Sequence, residues 1–283
     1  MGLKIKELIP IGERILREAG VENYWVDAEA LLCSETGFDR KKIFLDHDRE
    51  LDDVQCEVFF GLINRRADGE PLQYITGEQY FMGHRLTVNP SVLIPRPETE
   101  CLAEKAIEYL LASGSAKTAL DLCTGSGALA VSIAKACTGM VVTAADVSKA
   151  ALVIAKVNAA TLGVSGHIDF VQGDLFASLE GKEFDLIVTN PPYVKTADLK
   201  GLAREIAEHE PLSALDGGAD GLDFYRRIAA DARGFMAEDA CLMAEIGSGQ
   251  AEAAAAIFTG AGFSSVEISQ DLSGLDRILT AKK

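Results

Sequence analysis

Apolar positions change their period twice along the chain. Over residues 1–74 they recur at helical spacing. Leu8, Ile11, Ile15 and Leu16 share one face, Ala28, Leu31 and Leu32 a second, and Val54, Phe59, Leu62 and Ile63 a third. No alternating run interrupts them, so this stretch predicts a small helical domain. From Gln73 to Leu93 the runs shorten. Tyr74-Ile75-Thr76 and Gln79-Tyr80-Phe81 flank Gly77, and Arg85-Leu86-Thr87-Val88 ends at Asn89-Pro90. Short β-rich runs with glycine turns predict a β-hairpin, placed here as a linker over 75–95. A helix then starts at Pro97, whose missing N–H costs nothing in a first turn, and runs to about residue 112. Glu98 and Glu100 favour the positive end of its dipole.

From Thr118 strand-like and helical runs alternate. The strands fall at 119–123, 141–145, 168–171, 184–189, 242–246, 265–269 and 277–280, with helices at 128–136, 149–161, 223–236 and 250–261. Such alternation implies a mainly parallel sheet covered on both faces, an α/β fold of Rossmann-like type over 96–283. Only Asp271 to Asp276 joins the last two strands, too few residues for a crossover helix, so they pair antiparallel or lie apart. A plain dinucleotide fold has six strands and no such ending.

Composition narrows the partners more than the fold. The chain has 283 residues, is 48% hydrophobic and 25% charged, and carries a net charge of −16. Both the first 75 residues and the remainder are acidic, leaving no basic face for a phosphate backbone. A protein partner fits better than bare nucleic acid. No apolar run approaches a membrane span, and Met1 to Glu7 lacks a signal-peptide pattern. Position six, where myristoylation would want Ser or Thr, is Lys6. The six cysteines contain no Cys-x-x-Cys and the four histidines no His-x-x-x-His. Reduced thiols in the cytoplasm, with neither zinc nor disulfides, are therefore expected.

Chemistry concentrates at three strand ends. After Asp121-Leu122-Cys123 comes Thr124-Gly125-Ser126-Gly127-Ala128, a turn whose backbone can approach a ligand beside free helix N–H groups. The third glycine of the dinucleotide fingerprint is absent, Ala130 standing in its place. Asp146 ends the next strand, 21 residues past Gly125, where a carboxylate reads ribose hydroxyls; it also suits a helix N-cap. Asp174 and Leu175 end a third strand, suited to an adenine amino group and ring. These features favour S-adenosylmethionine over a nicotinamide, with Asp121 and its loop on the ammonium side. The run Phe184 to Val188 then stops at Asn190-Pro191-Pro192-Tyr193. Chance would supply that tetrapeptide in about one chain in a thousand of this length. Prolines cannot donate to a ladder, so Asn190 leaves a sheet edge with its amide free for a ligand.

With these residues in view, the part from about 115 onward resembles class I methyltransferases. Asn190-Pro191-Pro192-Tyr193 is similar to the motif of enzymes that methylate planar amino nitrogens. More narrowly, the chain resembles the HemK/PrmC family, glutamine-N5 methyltransferases of peptide-chain release factors. The likeness is carried by Pro71–Gly77, Leu93-Ile94-Pro95-Arg96-Pro97-Glu98-Thr99-Glu100, the Asn-Pro-Pro-Tyr segment, and His209–Gly218. It implies a substrate, the glutamine of a Gly-Gly-Gln loop on a class 1 release factor. It also implies cofactor contacts at Thr124, Gly125, Ser126, Gly127, Ala128, Asp146, Leu175 and Asn190, and substrate contacts at Asn190, Pro191, Pro192 and Tyr193. The family often has Gly where Cys123 stands and an aromatic where Leu175 stands.

The expected chemistry is simple. An amide nitrogen is a weak nucleophile and must be held in line with a sulfonium methyl. The Asn190 oxygen and a carbonyl of Pro191 or Pro192 each accept one N–H, and Tyr193 packs on the amide plane, the alternative being a wedge that closes the loop. Residues 194–221 are a candidate lid or substrate collar, the alternative being an ordinary long crossover, and Glu210 reads as a solvated charge rather than a substrate contact. Two rivals remain at this level: a nucleic-acid amino-methyltransferase, disfavoured by charge, and a non-catalytic regulator binding the same cofactor, disfavoured by intact Asn190 and Tyr193.

Overall fold

The computed structural model describes residues 2–114 and 117–283, in two compact units. The first runs to Glu78 and includes Ala203–His209. It holds β1 (Leu3–Lys4), α1 (Ile5–Glu18), α2 (Tyr24–Thr36), α3 (Arg40–Leu45), β2 (Glu50–Leu51), α4 (Asp53–Ala67) and α5 (Leu72–Thr76). Leu8, Leu16, Leu31, Leu32, Phe59 and Ile63 are its fully buried centre, as the helical spacing predicts. Val54 is a correction: it is 68% exposed, and Cys56 takes the inward position. The brief β1–β2 antiparallel pair is a second correction, two residues a side and too short to leave a pattern.

Arg66 organises the edge of this unit. Its Nε donates to buried Asp27 at 2.7 Å, and its Nη1 to Glu205 at 2.8 Å and to the Glu70 carbonyl at 3.1 Å. A guanidinium satisfies three acceptors at once because its donors are fixed in a fork. This bond set ties a segment more than a hundred residues away in sequence to the first unit, a link no local pattern announces.

Tyr74-Ile75-Thr76 is helical rather than extended. Thr76 Oγ1 donates to Leu72 O at 3.0 Å, and Gly77 closes the turn at φ 76°. The hairpin itself is β3 (Glu78–Phe81) and β4 (His84–Thr87), turning through Met82 (φ 50°) and Gly83 (φ 72°). Two left-handed residues are what a tight hairpin of matching twist requires. Most of it lies in the second unit, which begins at Gln79, so the boundary expected after residue 74 falls four residues later.

The second unit continues with α6 (Pro97–Ser113), β5 (Thr118–Leu122), α7 (Ala128–Ala136), β6 (Val141–Asp146), α8 (Lys149–Thr161), β7 (Ile168–Gln172) and β8 (Phe184–Thr189). After α9 (Arg204–His209), which belongs to the first unit, come α10 (Asp223–Asp231), β9 (Met236–Glu245), α11 (Ala251–Gly260), β10 (Ser265–Gln270) and β11 (Asp276–Lys282). Seven strands form one sheet in the order β10-β11-β9-β8-β5-β6-β7, with β11 antiparallel to both neighbours and the rest parallel. The helix expected over 223–236 is α-helical to Asp231 and continues as a 3-10 turn over Ala232–Phe235; Met236 already begins β9. Asp185, the one charge in β8, accepts from the Lys117 and Thr118 backbone N–H groups and fixes the start of β5.

One buried amide joins three of these pieces. Asn158 on α8 is 1% exposed. Its Oδ1 accepts from Thr87 N at 2.7 Å, while Nδ2 donates to Thr87 O at 3.0 Å and to Ser126 O at 2.9 Å. The hairpin strand and the glycine turn are thereby fixed to one helix. Asn158→Ala leaves three backbone groups without their partner and is expected to destabilise the protein by about 3 kcal/mol. Urea unfolding followed by circular dichroism measures it; a loss well under about 1 kcal/mol would show that water replaces the amide.

Candidate active site

The register of the parallel strands sets the site. Leu122 of β5 pairs with Ala145 of β6 and with Thr189 of β8, and Ala145 pairs with Val171 of β7. Four strands therefore end at one level. The residues just beyond them, 123–127, Asp146, 173–175 and Asn190, meet along one carboxyl edge. The order reverses between β5 and β8, the topological switch point where open α/β sheets take ligands.

A cavity lies there. Cys123, Thr124, Gly125, Ser126 and Ala128 line one wall, Asp146, Ser148 and Ala151 the next, and Gly173, Asp174 and Leu175 the far end. Asn190 and Pro192 also line it, as do Leu93, Pro95, Thr99, Pro211, Ser213, Ala214 and Phe224 among others. Gly127, Pro191 and Tyr193 do not line it. Gly127 has φ 80°, and a Cβ there would sit 3.0 Å from that of Ala155. Its requirement is thus the turn and the close passage of α7 past α8. Cys123 has φ 63°. That left-handed backbone is one glycine adopts without strain and other residues rarely do.

Asp121 lies behind the turn, 1% exposed and not in the cavity lining. Its Oδ2 accepts from Thr124 Oγ1 at 2.6 Å and Ala130 N at 3.0 Å, pinning both ends of the glycine loop. Its Oδ1 has no hydrogen-bond partner among the described residues. Burial pushes this carboxyl up to about 7, against the two hydrogen bonds it accepts.

Asp146 presents a carboxylate whose plane is set by the backbone. Gly125 N donates to Oδ2 and Ser148 N to Oδ1, each at 2.8 Å. The helix cap is Ser148, which accepts from Ala151 N; Asp146 stands two residues earlier. Burial raises its pKa while these two N–H groups oppose the rise. Asp174 is paired with Arg227 at 2.7 Å and its side chain is 58% exposed, so it sits at the open rim. Leu175 is buried, at φ 50°.

The bend after β8 is held from four sides. Asn190 Nδ2 donates to Thr99 Oγ1 at 3.1 Å, and Thr99 Oγ1 donates to Glu245 Oε2 at 2.6 Å. The Tyr193 hydroxyl donates to Glu245 Oε1 at 3.2 Å, and Gln250 Nε2 donates to the Tyr193 carbonyl at 3.0 Å. Val194 N reaches Leu215 O at 2.9 Å, and Gly217 N reaches Val194 O at 2.7 Å. Among the described residues no donor reaches the carbonyl of Pro191 or Pro192. Tyr193 is thus a wedge beneath the loop, packed on the core, and not a plate facing the cavity. Burial beside the Glu245 carboxylate drives its phenol well above the ordinary range.

Sequence reading missed Thr99, Glu245, Gln250 and the Arg96–Glu210 pair. Glu210 is a correction: its side chain is 1% exposed and bonded to Arg96, not solvated. That pair sits beside Pro95 and Pro211, both in the cavity lining. The one available signal for Glu245 was a lone acid inside the apolar run Leu242 to Ile246.

Asp121 supplies a pH test. Below about pH 4 it is protonated folded and unfolded; from about 4 to 7 only the unfolded chain releases the proton, so stability falls as pH rises. Asp121→Asn removes that titration. The stability of the variant relative to wild type is expected to climb across this window, by about 4 kcal/mol at most, and then level off. Thermal unfolding of both proteins from about pH 4 to about pH 8 reads the difference; a flat difference would show that Asp121 stays ionised.

Comparisons with known proteins agree with this architecture. Residues 7–77 match the family model "PrmC N-terminal domain" and residues 102–216 match "Methyltransferase small domain". A release factor glutamine methyltransferase of Geobacter sulfurreducens is 40% identical over 97% of this chain and 95% of its own length. That of Clostridium acetobutylicum is 34% identical over 99% and 98%. Among solved structures, a ribosomal protein L11 methylase from Lactobacillus delbrueckii subsp. bulgaricus has a TM-score of 0.50 at 22% identity, covering 69% of this chain and 84% of that one, a likeness of fold. With its fold, its strand-end cavity and relatives aligned over nearly their whole length, this chain belongs to the release factor glutamine methyltransferase family.

Proposed function

We propose that this protein transfers a methyl group from S-adenosylmethionine to the side-chain amide nitrogen of the glutamine in the Gly-Gly-Gln loop of class 1 release factors. The names of its relatives support that substrate, and the cytoplasm is the compartment proposed for the reaction. One observation carries the chemical reading. The NH2 end of the Asn190 carboxamide is taken by Thr99, so its oxygen is the end left for a ligand.

The cavity residues fit the cofactor. Asp146, its plane fixed by two N–H bonds, has lone pairs left for two ribose hydroxyls. Leu175 and Phe224 offer apolar packing for an adenine. The unpartnered Asp121 Oδ1 is a buried acceptor that an ammonium group, or a water bound to it, would satisfy. When bound, the cofactor supplies a sulfonium-activated methyl group.

The chain's own residues do the positioning. Asn190 Oδ1 and the carbonyl of Pro191 or Pro192 accept the two N–H groups of the substrate amide. Two fixed acceptors restrict the nitrogen to one approach and stabilise the positive charge that grows on it. Prolines and the Tyr193 wedge keep both acceptors from relaxing. The surrounding apolar lining excludes water, which favours consuming a cation over keeping it. No base is required at the amide, because a methylated, protonated amide is a strong acid.

Asn190→Ala is expected to lower kcat about a hundredfold or more while leaving cofactor affinity within a few-fold. Transfer of a labelled methyl group to a release factor, with a variant lacking the Gly-Gly-Gln glutamine as control, measures it. Unchanged turnover in Asn190→Ala would remove Asn190 from the reaction.

A further inference from the structure

We propose that Thr99 and Glu245 are positioning residues that decide which end of the Asn190 carboxamide faces the cavity. The inference rests on the reaction proposed above for its consequence, but the orientation itself is a property of the protein alone.

The two ends of an asparagine amide are almost the same size, so shape does not choose between them. Hydrogen bonding does. Asn190 meets Thr99 Oγ1 at 3.1 Å, through its nitrogen. A hydroxyl has one proton and two lone pairs. The Thr99 proton goes to Glu245 Oε2 at 2.6 Å, the shorter bond and the one to a carboxylate. Glu245 is 1% exposed, and its other oxygen is already taken by the Tyr193 hydroxyl at 3.2 Å. Thr99 is left with lone pairs only. They attract the Asn190 NH2 group and repel its oxygen, so Oδ1 turns to the cavity.

The relay needs Glu245 ionised, because a protonated acid would give Thr99 a proton and free it to donate to Asn190. Burial, aided by the Glu98 charge, pushes the Glu245 carboxyl above the ordinary carboxylate range; the hydrogen bonds from Thr99 and Tyr193 and the charge of Arg277 hold against that rise. The Tyr225 hydroxyl, packed on the same strand end, is engaged with the Glu245 backbone carbonyl. Neither Thr99 nor Glu245 need touch the reacting atoms. Their effect is to make Asn190 an acceptor and never a donor toward the substrate nitrogen.

Hydrogen exchange of the Asn190 side-chain NH2 tests this directly. It is read by NMR on cofactor-bound protein labelled with nitrogen-15 asparagine, with Asn190→Asp identifying the resonance. Exchange is expected to be slow in wild type, about tenfold faster in the near-isosteric Thr99→Val, and slow again in Thr99→Ser. Turnover on a release factor should follow the same order, kcat falling about tenfold or more in Thr99→Val with cofactor affinity and KM little altered, and returning in Thr99→Ser. Equal exchange in wild type and Thr99→Val overturns the relay. Faster exchange with kcat unaltered overturns its part in positioning. Wild-type protein that methylates no release factor overturns the reaction proposed above instead, and the exchange comparison still decides the relay.

Discussion

A buried carboxylate, Glu245 at the end of β9, is the fixed point of the site. It lies on the strand next to β8, and it accepts from α6 through Thr99 and from the bend after β8 through Tyr193. A charge so placed is costly unless every lone pair has a donor. That cost makes the arrangement specific: moving either donor leaves an unsatisfied ion in a low-dielectric interior. Asn190 inherits its orientation from this network, and the Pro-Pro step after it adds stiffness. The chemistry assigned to the site needs acceptors that do not yield when a positive charge grows in front of them.

The glycine turn is held in a related way. Asp121 binds Thr124 and the Ala130 N–H from behind, Asp146 binds the Gly125 N–H from the side, and Asn158 binds the Ser126 carbonyl from above α8. Three polar side chains, each wholly or largely buried, thus define a loop of five residues. The backbone strain at Cys123, in a left-handed conformation without being glycine, is tolerated because the neighbours leave it no alternative. The glycine turn and the bend after β8 are thus held by different side chains, and both line one cavity.

Residues 194–221 link the two regions. The segment is stitched back onto the bend through Val194, Leu215 and Gly217, and it contributes Pro211, Ser213 and Ala214 to the cavity lining. Its middle portion, Ala203–His209, is counted with the helical unit through Arg66 and Glu205. One continuous piece of chain therefore carries both a wall of the cavity and part of the unit matched by the N-terminal family model.

The sequence by itself determined the seven strands, the link too short for a crossover between the last two, the helical first unit, the carboxylate at position 146 and the bend at Asn190. Each rests on local pattern: period, turn residues, or a polar group where a strand stops. It misjudged Tyr74-Ile75-Thr76, because two β-branched residues and an aromatic one suit a strand, while Gly77 and the Thr76 hydroxyl favour a helical turn. It left Tyr193 between a plate on a ligand and a wedge under the loop, since only depth in the fold separates the two. The partners of Asn190 were out of reach for a stronger reason. Thr99 lies 91 residues away and Glu245 is joined to Thr99 across 146, and hydrogen bonds over such distances in sequence have no periodicity to betray them. Which atom of Asn190 faces the cavity was decided only when the sheet brought those three side chains together, because an amide has two nearly identical ends and only its surroundings tell them apart.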